Sequence, residues 1–344
     1  MRGQTGQMKE QNGEFRLQQN SFDYFRLFAA LQVLLGHMVS QNGIHLPAYI
    51  PLGFVGGVPI LFTLCGFLVT ASYEKSKTIG EYFKKRFFRI FPPLWVSVWV
   101  GFVILWVFMG SAFPIGKAAV WTFLQGFALQ YTPKFAESFG SGSFNGALWS
   151  LFTEIQFYLL LPILYRAMKK KSMKSWLMVG IALLLVQVLG TELVKAFHHR
   201  ALSLIWKRCI LAQSNYFYIG SFLYVFRNSL LKKIIKYTPL FFLAYVALYV
   251  TGQFVNLGVP GGIVVNCLLP VLIITLGYYL KQHRLKYDIS YGIYLYHVMI
   301  LNIFTELNVG LNFAVVLLIV LLSCACGAMS MLVDRGVRGT LRKI

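Results

Sequence analysis

The chain has 344 residues, of which 57% are hydrophobic and only 12% charged, a balance that excludes an ordinary soluble globular domain and reads as an integral membrane protein. A formal net charge of +21 would suggest nucleic acid in a soluble chain. Here no basic domain with interleaved aromatics and no binding module is present, so topology has to account for the charge.

Residues 1–20 form a polar tail. The apolar stretch that follows, FDYFRLFAALQVLLGHM from Phe22 to Met38, contains charge and lacks a small-residue cleavage site, so it reads as a retained first helix. It carries Arg26 and His37, two ionisable groups that are costly in hydrocarbon and therefore mark a functional site. Eleven steps at about 100° bring both onto one helix face, about 16 Å apart along the axis. The functional reading is a basic anchor at one level and, at the other, an imidazole able to take a proton from an attacking hydroxyl. The plain alternative is that Arg26 snorkels to headgroups while His37 sits near the outer interface.

Ten stretches are long enough, or nearly so, to span: 22–40, 53–73, 90–110, 147–165, 176–193, 209–226, 238–255, 261–280, 288–307 and 311–333. The second contains Gly56, Gly57 and Gly66, which permit close helix approach. Between it and the third lies KKRFFRIFPPLW, residues 84–95. Arg86 and Arg89 stand three positions apart, neighbours on a helix, and such a pair can clamp phosphates through bidentate hydrogen bonds. The bland reading, preferred for Lys75, Lys77, Lys84 and Lys85, is contact with anionic lipid. The segment 118–131 is short and contains Gly126 and two Gln; a span there would turn the basic 166–175 loop outward, so it is expected to be re-entrant or interfacial. The outer connection 111–146 offers aromatic residues as possible stacking platforms for sugar rings.

Glu154 lies in the fourth span and is the deepest acidic residue. A lone intramembrane carboxylate needs a partner or a proton. Pairing with His37, at comparable expected depth, would orient the imidazole or stabilise its charged form; a structural salt link to Arg26 is the alternative. Trp149 and Gln156 on the same span are candidate substrate contacts. In the ninth span His297 lies beside Tyr294, and both are secondary candidates for lining a substrate cavity, although a single His on an aromatic helix is more often an interior residue. His198, His199 and His45 fall in outer loops and His283 in an inner one. The five Cys show no disulfide or metal-ligand spacing, and no metal is expected.

With ten spans and both termini in the cytoplasm, most of the 32 Lys and Arg fall on the inside, as the positive-inside rule requires. The fold class expected is thus all-α integral membrane, a bundle of about ten transmembrane helices. A membrane domain over 21–335 lies between the 1–20 tail and a basic tail at 336–344.

Together these motifs resemble the membrane acyltransferase 3 family. RLFAALQVLLGH is similar to its first-helix signature, with Arg26 and His37 at the family spacing. GVPILFTLCGFL, the Arg86 to Arg89 block, LWSLFTEIQFYLLLPIL and ISYGIYLYH match further blocks in order. Two departures stand out: Cys65 replaces the usual Ser, and QSNYFYIG at 213–220 lacks the Arg and acidic residue often found there. The resemblance implies transfer of an acyl group, most often acetyl, from cytoplasmic acyl-CoA to a hydroxyl of an extracytoplasmic polysaccharide or lipid-linked glycan, in a bacterial cytoplasmic (inner) membrane. It marks Arg26, His37, Arg86 and Arg89 as functionally required; the residues themselves suggest Arg86, Arg89 and Arg26 for the acyl-CoA donor and His37, with Glu154 and Arg26, for catalysis. Many relatives carry a C-terminal SGNH domain. None follows the last span here, so direct transfer or a separate extracytoplasmic partner is expected. The competing class is a transporter or flippase of lipid-linked glycan, with the same polar groups lining a path.

Overall fold

The computed structural model describes Leu17 and residues 19–42, 55–280 and 285–341. Every regular element among the described residues is helical: α1 (Phe22–Asn42), α2 (Gly57–Glu74), α3 (Ile79–Met109), α4 (Ile115–Gly126), α5 (Trp149–Met168), α6 (Met173–Ala196), α7 (Arg200–Arg208), α8 (Ser214–Val225), one-turn α9 (Lys232–Ile234), α10 (Thr238–Phe254), α11 (Gly258–Tyr279), α12 (Ser290–Glu306) and α13 (Phe313–Leu341).

Seven of these are long and apolar enough to cross a membrane: α2, α3, α5, α6, α10, α11 and α13, three of them together with adjoining short helical turns. The other three expected spans coincide with α1, α8 and α12. These differ for a physical reason. α12 has 17 residues and α8 only 12, and both are largely buried, while α1 carries Asp23, Arg26, Gln32 and His37. Interior helices tolerate polar groups and short length because neighbouring helices, rather than lipid, satisfy them. α6 shows the opposite character. Leu177, Met178, Ile181, Leu185 and Leu189 are exposed along it, a surface that only lipid can cover.

α4 occupies 115–126, about 18 Å of helix, too short for a hydrocarbon core of about 30 Å. A non-spanning segment is what the sequence predicts near 118–131. Within the outer connection 111–146, Phe113, Phe139 and Phe144 are buried, whereas Phe123, Phe127 and Tyr131 are exposed. Asn302 of α12 fastens it. The amide oxygen accepts from the Ser141 backbone N–H and hydroxyl, both at 2.9 Å, and the amide nitrogen donates to the carbonyls of Ser143 and Phe144. Asn145 in turn donates to the Leu295 carbonyl at 3.0 Å.

α2 packs most extensively on α8. Gly66 and Gly220 make that approach possible, since a Cβ on Gly66 would stand 2.2 Å from the Phe217 carbonyl oxygen and one on Gly220 2.4 Å from that of Thr63. Hydroxyls fill the seam: Thr70 donates to the Gly66 carbonyl at 2.6 Å, and Ser221 donates to the same oxygen at 3.2 Å. Gly66→Ala is accordingly expected to lower stability by about 1–3 kcal/mol, read as a fall in melting temperature in detergent. Gly116→Ala, on α4 with no atom near its Cβ position, should leave the melting temperature unchanged or raised.

Candidate active site

Arg26 emerges from the second turn of α1 between two carboxylates. Asp23, one turn earlier, accepts from its Nη2. Asp288 Oδ2 lies 3.3 Å from its Nε, near enough for an ion pair though not aligned as a hydrogen bond. The same Oδ2 stands 3.8 Å from Nη2 of Arg89. Asp288 occupies the turn before α12, outside the helices that cross. Its other oxygen accepts from the Ser290 N–H at 3.1 Å and hydroxyl at 2.5 Å. Burial alone would raise its pKa; Arg26, the Ser290 hydrogen bonds and Arg89 together outweigh that and hold the carboxyl below its usual range.

Arg86 and Arg89 face the same side of α3, as a spacing of three requires. Arg89 lies over the ring of Tyr291, 5.9 Å from its centroid, and Arg86 over that of Tyr158 at 5.6 Å. Arg86 also donates to the Ser72 hydroxyl at 3.1 Å, while its Nε is buried without a partner. Lys84 and Lys85 are exposed, which fits the plainer role given to them.

These arginines meet in a cavity of about 130 Å³, lined also by Glu154, Tyr158 and Tyr294. That volume is the space of about four water molecules. Glu154 accepts from the Tyr158 hydroxyl and, at 3.5 Å, from the Cys65 thiol. The expected depth of Glu154 needs correction. Ser150, one turn above Glu154, hydrogen-bonds Tyr294 at 2.7 Å, and Tyr294 is one turn below His297. Glu154 therefore lies about 10 Å, roughly seven helix residues, below the imidazoles. It shares the level of the arginines rather than that of His37.

The ring facing His37 belongs to His297, with centroids 5.3 Å apart and planes tilted by 45°. Since Arg26 meets Asp288 and His37 meets His297, α1 and α12 run parallel, and the spacing expected on α1 is matched level by level on its neighbour. Nδ1 of His297 lies 3.1 and 2.9 Å from the carbonyl oxygens of Ile293 and Tyr294. Its Nε2 is buried without a hydrogen-bond partner, a condition that costs about 1–3 kcal/mol. Tyr294 stands between the two levels. It lines the cavity, its ring is 5.9 Å from that of His297, and its hydroxyl is held by Ser150 and the Ala147 carbonyl.

Two expected substrate contacts are placed elsewhere. Gln156 spends both ends of its amide on the turn after α7, donating to the Arg208 carbonyl at 2.8 Å and accepting from the Ile210 N–H at 3.0 Å. Trp149 packs edge-on against Phe62 and does not line the cavity. His199 accepts from the Leu202 N–H at the start of α7; His45 and His283 lie outside the described residues. No group of His, Cys, Asp and Glu suited to a metal ion occurs among the described residues. Sequence reasoning missed Asp288. The available signal was its place two residues before Ser290, where an Asp caps a helix start, in a chain with only 11 acidic residues against 32 basic ones.

The described residues thus place arginines around a cavity at one level of a parallel helix pair and imidazoles at another. The acyltransferase domain model matches residues 19–332, and the chain belongs to the membrane acyltransferase 3 family. It is similar to nodulation protein 10 of Rhizobium leguminosarum bv. viciae, 29% identical over 82% of this chain and 83% of that protein. It also resembles an O-acetyl transferase of Shigella phage Sf6, 23% identical over 80% of this chain and 83% of the relative. The acyltransferase MdmB of Streptomyces mycarofaciens is 30% identical over a shorter match, 46% of this chain and 42% of that protein. No solved structure matches the chain.

Asp288→Asn should leave Arg26 and Arg89 without their shared counter-ion. The expected cost is about 1–3 kcal/mol, below that of a fully buried pair because all three groups retain some exposure. A fall in melting temperature of the purified protein measures it.

Proposed function

We propose that this acyltransferase carries a short acyl group, acetyl by preference, from cytoplasmic acyl-CoA to a hydroxyl of a cell-surface glycan. The observation that carries the reading is the separation of the site into two levels along α1 and α12, with three arginines at one and two imidazoles at the other. Arg86, Arg89 and Arg26 are suited to the phosphates of coenzyme A. About 16 Å of helix from Arg26 to His37 is a length that an extended pantetheine arm can bridge. The printed name of the phage relative, O-acetyl transferase, favours the same donor and an oxygen acceptor.

On this reading His37 takes the proton from the acceptor hydroxyl as its oxygen attacks the acyl carbon. The carbon–sulfur bond breaks, and the departing thiolate takes the proton from His37. Glu154, held by Tyr158 and Cys65 at the arginine level, then belongs to the donor end of the path rather than to His37. The topology that goes with this function has ten spans, both termini in the cytoplasm of a bacterium and the imidazoles toward the outside.

Membrane vesicles containing the chain and supplied with labelled acetyl-CoA test the proposal. Label on glycan supports it; glycan translocated without label would indicate a flippase instead. His37→Ala should abolish labelling while the protein still inserts and elutes as a folded species. Arg86→Ala should raise the KM for acetyl-CoA about 10-fold or more, the scale of one lost charge-assisted contact, with a smaller change in maximal rate. An unchanged KM would remove Arg86 from the donor site.

A further inference from the structure

His297 is 1% exposed, and its two ring nitrogens are treated very differently. Nδ1 points at the carbonyl oxygens of Ile293 and Tyr294 on its own helix. A carbonyl oxygen only accepts, so Nδ1 carries the proton and the neutral ring presents a bare lone pair at Nε2. That nitrogen is buried with no hydrogen-bond partner. An imidazole kept only for packing would have both ends satisfied. The polar ring opposite it is that of His37, 5.3 Å away between centroids on the parallel helix. Val33, one turn before His37, and Val298, next to His297, belong to one small apolar cluster with Ala147 and Tyr294.

We propose that His297 is the positioning residue of His37: its bare Nε2 accepts the N–H of the His37 ring and thereby fixes which His37 nitrogen holds the proton and which faces the acceptor hydroxyl. This rests on the reading that His37 takes the acceptor's proton. The requirement is general, since an imidazole base works only in the tautomer that turns its lone pair to the substrate, and a second acceptor behind it selects that tautomer. A carboxylate commonly fills the place, but among Val33, Ala147 and Val298 an additional charge would be expensive to bury. A neutral imidazole supplies an acceptor without that cost. When His37 takes up the proton, the hydrogen bond to Nε2 becomes charge-assisted and stronger at the moment it is needed. Glu154, about two turns below, is too far to do this.

The test uses the full chain in membrane vesicles with labelled acetyl-CoA, and compares His297→Leu, His297→Gln and His297→Asn. Gln keeps an acceptor oxygen at about the reach of Nε2, whereas Leu has none and Asn is too short. The expected result is a fall of about 100-fold or more in maximal rate for Leu and Asn, with KM for acetyl-CoA within about twofold of the unaltered chain. Gln should recover the rate to within about 10-fold of the unaltered chain. Where Leu does not yield folded protein on size exclusion, the Gln and Asn pair decides. Full activity in all variants, or equal loss in Gln and Asn with both folded, overturns the proposal. His37→Ala run alongside separates the two ideas. If it retains transfer, the role of His37 fails and the pair fails with it; if it is inactive while His297→Leu is not, only the positioning role fails.

Discussion

One carboxylate holds two guanidinium groups delivered by helices far apart in the chain. Asp288 meets Arg26 from α1 and Arg89 from α3, and much of the remaining arrangement depends on that meeting. Three arginines around one small cavity repel one another strongly where water is scarce. Asp288 lowers that repulsion between Arg26 and Arg89, with Asp23 beside Arg26 and Glu154 on the cavity wall as the other carboxylates at this level. It also sets a register. With Arg26 fastened beside the start of α12, the two parallel helices rise together and bring His37 opposite His297 three turns later.

The bundle follows from the same economy of polar groups. Helices facing lipid, such as α6, are apolar nearly throughout, whereas on α3 and α5 an apolar outer face is exposed and polar side chains turn inward to the cavity. Close approach at Gly66 and Gly220 seats α8 deep against α2, and Glu154 on α5 reaches across to Cys65 of α2. The paired Thr70 and Ser221 hydroxyls turn polar side chains into adhesive between helices, a use that costs little because each donor has a backbone oxygen beside it.

Much of this was legible in the sequence because membranes impose strict periodicities. Apolar lengths and the Arg26 to His37 spacing depend on one helix at a time: seven helices are long and apolar enough to cross a membrane, and Arg26 and His37 lie on the one helix α1. Arg86 and Arg89 likewise share a face because the helix repeat demands it. What required three dimensions was depth between helices. The sequence suggests comparable depth for Glu154 and His37, yet α5 is seated so that Glu154 meets the arginines. Gln156 looked like a wall residue until the turn at Arg208 and Ile210 claimed its amide. The pairing of His37 with His297 joins residues separated by most of the chain, and no local pattern announces it.

Tyr294 carries a consequence of another kind. A protein that places charged groups in a cavity on one side and proton-accepting rings toward the other risks opening a wire for protons across the membrane. The Tyr294 ring, pinned by Ser150 and the Ala147 carbonyl and flanked by Val33 and Val298, is the bulkhead between those compartments. Its hydroxyl is already committed, so it offers no free link in a chain of exchanging hydrogen bonds.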